Sequence, residues 1–309
     1  MSPSQIGLAA LFAFALFQGV RDALFGNVFQ SVSFLLVAVL SFGVSTAVFL
    51  RIAAVRYPRD FRLLAAYAGK VAWINVSTAA AWLGFLYALR HLEPAVVATL
   101  YNGAGPLTIL AIAAAGKVPG AAKPVRLELL AYAGLAAALA GLALIVLMDR
   151  SGLTGGEPWV QVSALAGAFF GGVFITASYL TTRQINDAGV STEGALGVSF
   201  LLTLLIAAVL ECGDGSAAMR PGLADGVWLT GVSFVLIVLP ALLVRIGVKR
   251  SSPLAANVFR TLGPVCVFAV QQVDGRLSFS GATLLCVLMF FVCSIAASAL
   301  RFWGERNGK

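Results

Sequence analysis

A chain of 309 residues that is 60% hydrophobic and only 11% charged, with a mean hydropathy of +0.94, is too apolar for a water-soluble globule, because soluble domains carry about a quarter charged residues. The formal charge of +8 does not point to nucleic acid, since the basic residues stand in short loops beside apolar runs, where they orient membrane helices. The expected surroundings are a lipid bilayer, with no nucleic-acid partner.

A bilayer core roughly 30 Å thick takes about 20 apolar residues per helix. Lipid offers the backbone no hydrogen-bond partners, so such runs must be helices. Ten runs qualify, at about 5–27, 32–54, 63–89, 94–115, 126–147, 160–183, 193–212, 226–247, 253–272 and 279–300. The fold class expected is all-α, a polytopic membrane protein. The opening "MSPSQIG" lacks the basic segment of a secretory signal, so the first run reads as a retained helix. The longest breaks, "GKVPGAAKPVR" (116–126), "DRSGLTGGEP" (149–158) and "GDGSAAMRPGLADG" (213–226), are turn-rich and leave little room for a soluble domain.

Charge supplies the orientation. Fourteen of the 21 Lys and Arg fall in alternate segments: Arg51, Arg56, Arg59 and Arg62; Lys117, Lys123 and Arg126; Arg183; Arg245, Lys249 and Arg250; Arg301, Arg306 and Lys309. The opposite loops hold Arg90, Arg150, Arg220 and Arg276. Positive residues gather on the cytoplasmic side, which places both termini there in a multi-pass protein of the inner or plasma membrane.

In chain order, the first polar interruption is "QGVRD" (18–22). Gln18, Arg21 and Asp22 share a helix face by i, i+3 and i+4 spacing. The two charges either neutralise each other or pair across the bundle; were the helix to end near residue 24, they would sit at the interface. Asp22 is the one acid placed deep within a run. In the third run Lys70, Trp73, Ser77 and Gly84 form a stripe, read as a cavity wall, with snorkelling for Lys70 and interfacial anchoring for Trp73 as the alternatives. Tyr101 and Asn102 precede "GAGP" (103–106), where Pro106 removes a backbone donor and frees carbonyls near residue 102. Gly167 and Gly171 form a G-x-x-x-G, read as internal packing rather than a dimer face; a homodimer stays open. "AGLAAALAGLAL" (133–144) reads as tight packing of the fifth helix. "SYLTT" (178–182) adds Tyr179 as a weaker polar position, since hydroxyls of Ser and Thr can bond their own helix.

Arg260 is the sharpest signal. A charge at a helix centre costs about 2.5–3.5 kcal/mol on insertion scales and faces an interior or aqueous cavity in most cases. It lies eight residues beyond Ser252, about 12 Å along a helix, near the limit of a snorkelling stem. The cavity reading is preferred. Cys212, Cys266, Cys286 and Cys293 lie within or at the ends of apolar runs without a C-x-x-C pair, and His91 is the single histidine. No metal site, cofactor, Ser-His relay or nucleotide loop is expected, so the protein is not read as an enzyme. Any transport would be secondary or passive.

The frame "ATLYNGAGP" (98–106) returns as "ANVFRTLGP" (256–264) at an offset of 158 residues (264 − 106). Ala98 meets Ala256, Gly105 meets Gly263, Pro106 meets Pro264, and Asn102 meets Arg260. The duplicated Gly-Pro pairs read as hinges. Ten spans then divide into repeats at 1–150 and 151–309, and because five is odd, the second must enter the membrane from the opposite side. Inverted repeats of this kind place substrate near the midplane and support alternating access.

The stretches 86–116 and 243–270 resemble the paired helix-loop-helix signature of the drug/metabolite transporter superfamily, in its EamA-type branch. "FALFQGV" (14–20) puts Gln18-Gly19 where that family commonly has Trp-Gly. The resemblance implies a central cavity lined by helices one, three, four, six, eight and nine, with helices five and ten outside it, and export as the direction. The glutamine and Arg260 depart from the pattern, which leaves substrate identity open. The expectation is an exporter of a small polar or anionic metabolite, such as an amino acid, with Arg260, Asn102, Tyr101, Gln18, Arg21, Asp22, Trp73, Ser77 and Tyr179 at its site. A non-transporting scaffold or receptor and an intramembrane enzyme are the competing classes; the enzyme would need a convergent nucleophile, base or metal set that is not visible.

Overall fold

The computed structural model describes residues 3–115, 126–213, 223–251 and 253–307. Lys117, Lys123, Arg220 and Lys309, with most of the loops at 116–126 and 213–226, lie outside the described residues, as do the side chains of Arg245, Lys249 and Arg306. The described residues form α1 (Pro3–Val28), α2 (Phe34–Arg56), α3 (Asp60–Ala66), α4 (Ala68–His91), α5 (Pro94–Ala114), α6 (Arg126–Leu147), α7 (Pro158–Asp187), α8 (Thr192–Ser199), α9 (Leu201–Gly213), α10 (Leu223–Arg250), α11 (Pro253–Gln271) and α12 (Gly281–Asn307), with no strand among them. Eight helical stretches are long and apolar enough to cross a membrane, α8 and α9 together counting as one; α10 and α11 contribute shorter apolar segments at Gly226–Leu236 and Val258–Gln271. This is a multi-pass, all-helical membrane protein.

Starts follow local chemistry. Ser33 accepts from the Leu35 N–H at 3.2 Å and Ser191 from the Gly194 N–H at 2.9 Å, each relieving an unpaired first-turn donor. Pro94 and Pro158 open α5 and α7, where a missing N–H costs nothing. Two expected continuous runs are interrupted. The third is divided at Tyr67 (φ −104°, ψ 30°) and the seventh at Phe200 (φ −98°, ψ −1°). At the second break the Leu202 N–H turns to the Asn75 side-chain oxygen of α4 at 3.0 Å, so a distant carboxamide satisfies the freed donor. Phe200 stacks on Phe42 at 5.0 Å.

Small residues set the packing, because in lipid helices associate by close contact rather than by escape from water. A Cβ on Gly84 would stand 2.8 Å from the Gly167 carbonyl oxygen, and one on Gly171 3.0 Å from that of Ala81. The G-x-x-x-G is therefore used within the chain, between α7 and α4. Gly134 and Gly141 of α6 face the Cys293 and Cys286 sulfurs of α12, where an added Cβ would lie at 2.7 and 3.1 Å; this is the tight packing expected of 133–144. Gly172 of α7 is the most confined, its Cβ position colliding with the Tyr101 carbonyl of α5. Gly172→Ala should cost stability in the overpacking range of about 1–3 kcal/mol, measured as a lowered thermal midpoint in detergent. Gly69→Ala, with nothing within 4 Å of its Cβ, should leave the midpoint unchanged.

The two ends of the bundle differ. At one, Gly26 of α1 abuts Pro94, the Gln30 amide donates to the Arg90 carbonyl at 2.9 Å, and Ser33 donates to Glu211 at 2.6 Å. Buried Phe25, Phe29, Leu89, Leu92 and Val96 fill the space beneath. At the other, buried Asp60 accepts from the Ser191 N–H and hydroxyl, Arg301 lies 3.6 Å from buried Glu128, and a smaller core of Leu64, Ile74, Ile185 and Val190 packs between α3, α4, α7 and α8. These are called the Glu93 end and the Asp60 end below.

Candidate functional site

Three of the expected residues lie on α1. The helix continues to Val28, so Arg21 and Asp22 are held inside it rather than at its tip. Asp22 is fully buried and the Arg21 side chain 12% exposed, with Arg21 Nε donating to Asp22 Oδ1 at 2.7 Å. The pair neutralises itself locally. Its guanidinium carbon lies 5.5 Å from the Trp82 ring and 5.7 Å from Phe85, two aromatic faces of α4 that add cation–π attraction. Asp22 Oδ2 has no hydrogen-bond partner among the described residues. Gln18, buried one turn earlier, presses its carboxamide against Gly263 of α11, where a Cβ would stand 2.6 Å from Gln18 Oε1.

Tyr101 closes the cluster from α5. Its ring centroid is 4.6 Å from that of Phe85. The hydroxyl is buried without a hydrogen-bond partner among the described residues. Arg260 of α11 is exposed and sits over the Tyr179 ring of α7 at 5.9 Å, and Tyr179 is itself 52% exposed. With Arg21 matched by Asp22, Arg260 is the surplus cation of this region. Thr78 of α4 and Ser178 of α7 share a hydrogen bond of 2.8 Å nearby in sequence to Tyr179.

Other expected positions are less engaged with this cluster. Asn102 donates to the Ala98 carbonyl of its own helix at 2.8 Å. Ser77 is buried but donates to the Trp73 carbonyl at 2.7 Å, while Trp73 is 46% exposed. Lys70 is exposed, its ammonium 5.5 Å from the Tyr67 ring. The two glycines expected to be hinges have reciprocal surroundings: Gly263 meets Gln18, and a Cβ on Gly105 would stand 3.0 Å from Thr176 Oγ1 of α7. An open groove of about 400 Å³ between α5 and α7, lined by Leu107, Ala111, Ile112, Phe169 and Val173, is apolar and separate from the polar cluster. No group of three or more metal-binding side chains forms among the described residues.

Two arrangements escape a sequence reading. Trp82 and Phe85 have helical spacing, which signals a shared face but not the cation that they flank. Glu93, between the third and fourth apolar runs, is 1% exposed and bonded on three sides. Burial pushes its carboxyl above the usual value despite the hydrogen bonds from Gly152, Gln271 and Thr283 that pull it down. At the same end, burial of Asp274 is outweighed by hydrogen bonds and charge from Arg276, leaving its carboxyl below the usual value.

What the fold and this cluster define is a polytopic helical membrane protein with a polar centre. No known family profile matches the chain, and no curated protein matches it. Among solved structures it resembles a chain described only as "Crystal structure of protein", at a TM-score of 0.63 and 22% identity, over 100% of this chain and 99% of that one. At that identity the likeness speaks for the fold alone.

Proposed function

We propose that the protein is a ten-span secondary or passive transporter of the EamA type in the drug/metabolite transporter superfamily, moving a small polar or anionic metabolite by alternating access. Its two halves, 1–150 and 151–309, are inverted repeats. Both termini are cytoplasmic, which puts the Asp60 end inside and the Glu93 end outside, and export is the direction.

Reciprocal contacts support the repeat. Gly105 and Gly263 differ by 158 residues, and so do their partners Thr176 and Gln18 (263 − 105 and 176 − 18). Tyr101 and Phe259 share that offset (259 − 101). Tyr101 packs on Gly171 of α7, and Phe259 lies edge-on to Phe12 of α1 at 6.2 Å. Each half thus sets its Gly-Pro helix against the first helix of the other half, which is what a twofold axis in the membrane plane requires.

The observation that carries the function is the polar centre between α1, α5, α7 and α11. The Arg260 guanidinium of α11 rests over the Tyr179 ring of α7, and the buried Tyr101 hydroxyl of α5 lacks a hydrogen-bond partner among the described residues, on helices where the two halves meet. Buried polar groups demand partners, and a solute carboxylate fits both the cation and the phenol donor. Tracer flux into proteoliposomes tests it, using radiolabelled amino acids and other small carboxylates. Uptake that saturates and leaves the solute chemically unchanged is the expected result. Absence of flux for all of them from a folded, inserted protein favours the scaffold or receptor class, and a chemically altered solute favours the enzyme.

A further inference from the structure

Glu93 belongs to no part of the polar centre, yet it is among the most buried polar side chains of the molecule. It stands in the turn between α4 and α5, 1% exposed. Oε2 accepts from the Gly152 N–H at 2.7 Å and from the Thr283 hydroxyl at 3.0 Å, and Oε1 from the Gln271 amide at 2.5 Å. The Gln271 oxygen in turn accepts the Ala95 N–H at 2.9 Å. Gly152 is clamped from its other side by the Ser278 N–H, which donates to the Gly152 carbonyl at 2.9 Å. Only glycine fits there, because a Cβ would stand 2.7 Å from the Ser278 oxygen and 3.1 Å from the Glu93 carboxyl carbon.

Two features separate this arrangement from a static brace. First, each donor to the carboxylate comes from a different segment: the α6–α7 connection, the end of α11 and the start of α12, at separations of 59, 178 and 190 residues. Parting the α4–α5 turn from those segments breaks all three bonds at once. Second, among the described residues the carboxylate is held by neutral donors alone. Arg276 at the same end is paired with Asp274, and Arg90, His91 and Arg150 make no bond to Glu93 among the described residues. A buried carboxylate without a counterion forfeits much of its hydration, and in an opened end water would replace all three donors. Exchange of the three donors for water makes the net contribution of these bonds to the closed form smaller than their gross strength.

We propose that Glu93 is the latch of this end of the transporter, and that the end opens by releasing its three hydrogen bonds together. This rests on the alternating-access reading above. The test is a spin–spin distance measurement in lipid nanodiscs, with Cys212, Cys266, Cys286 and Cys293 replaced by serine. One label pair is placed at Arg90→Cys and Val273→Cys, both exposed positions of the Glu93 end. A second pair is placed at Arg56→Cys and Asp187→Cys, exposed at the Asp60 end.

In the parent protein the Glu93-end pair should show a dominant short distance. Glu93→Ala should raise the long-distance population on the order of tenfold, since hydrogen bonds to a charged group contribute more than neutral ones, while the Asp60-end pair shortens. Glu93→Gln and Thr283→Val should shift both pairs the same way by less, and they keep the test alive should the alanine variant not fold. A lengthening confined to the Glu93 end, with the other pair unmoved, makes Glu93 a local brace and overturns the latch while leaving transport intact. Should neither pair show a second distance in any variant, and the parent protein still carry flux, the latch fails. If flux is absent as well, the alternating-access reading fails with it.

Discussion

Arg260→Ala is expected to remove substrate binding and flux while leaving the protein inserted and folded. Arg260 is the eighth residue of the 19-residue α11, a depth at which a charge costs about 2.5–3.5 kcal/mol on insertion scales. Its guanidinium rests over Tyr179 and no acid neutralises it among the described residues. Removing it should therefore not harm stability. Losing a charge-assisted pair with a solute carboxylate, at roughly 1.5–3 kcal/mol, predicts a fall in affinity of about tenfold to more than a hundredfold. Arg260→Lys keeps the charge but loses the two-pronged geometry, so it should recover part of the binding. Equilibrium tracer binding, with thermal unfolding as the control, measures both. Unchanged binding in Arg260→Ala would mean that the side chain snorkels and that the site lies elsewhere.

The second large effect is structural. Asp22→Asn is expected to lower the thermal midpoint sharply, because it strips the counterion from a guanidinium held between Trp82 and Phe85. Breaking a buried ion pair from one side costs about 3–5 kcal/mol in soluble proteins. Replacing both partners by apolar groups removes the uncompensated charge, so Arg21→Met combined with Asp22→Leu should recover most of the midpoint. Flux separates the roles of the pair. A stable double variant without transport places Arg21 and Asp22 at the solute path. A stable double variant that transports normally makes them packing alone.

Much of this molecule is legible in its amino-acid order, for a physical reason. In lipid each backbone donor must be satisfied within its own segment, so an apolar run about 20 residues long can do little but form a helix. The ends of α5, α6 and α11 fall within a residue of the runs read from sequence. Helices α7, α10 and α12 run past their apolar stretches, because a helix outside lipid needs no apolar residues. The internal use of Gly167 and Gly171 follows from the same logic of close approach.

Side-chain partnerships follow a different rule. Arg21 and Asp22 are neighbours in any conformation, but the sequence leaves open whether α1 ends beside them, and only the packed bundle brings Trp82 and Phe85 to the guanidinium. Asn102 is expected at the site beside the carbonyls that Pro106 frees, and in the fold its side chain donates to the Ala98 carbonyl of its own helix. The break at Phe200 has no glycine or proline at the position itself, and the freed Leu202 N–H is met by Asn75 across 127 residues. Glu93 falls between the third and fourth apolar runs, and nothing within its own segment marks it as buried. Its partners arrive from three distant segments, and a carboxylate loses its water only when a packed bundle supplies replacements. The order of residues determined the helices, because that satisfaction is local. The tertiary structure decided which distant polar groups meet, because a side chain that its own helix does not satisfy must find a partner across the bundle.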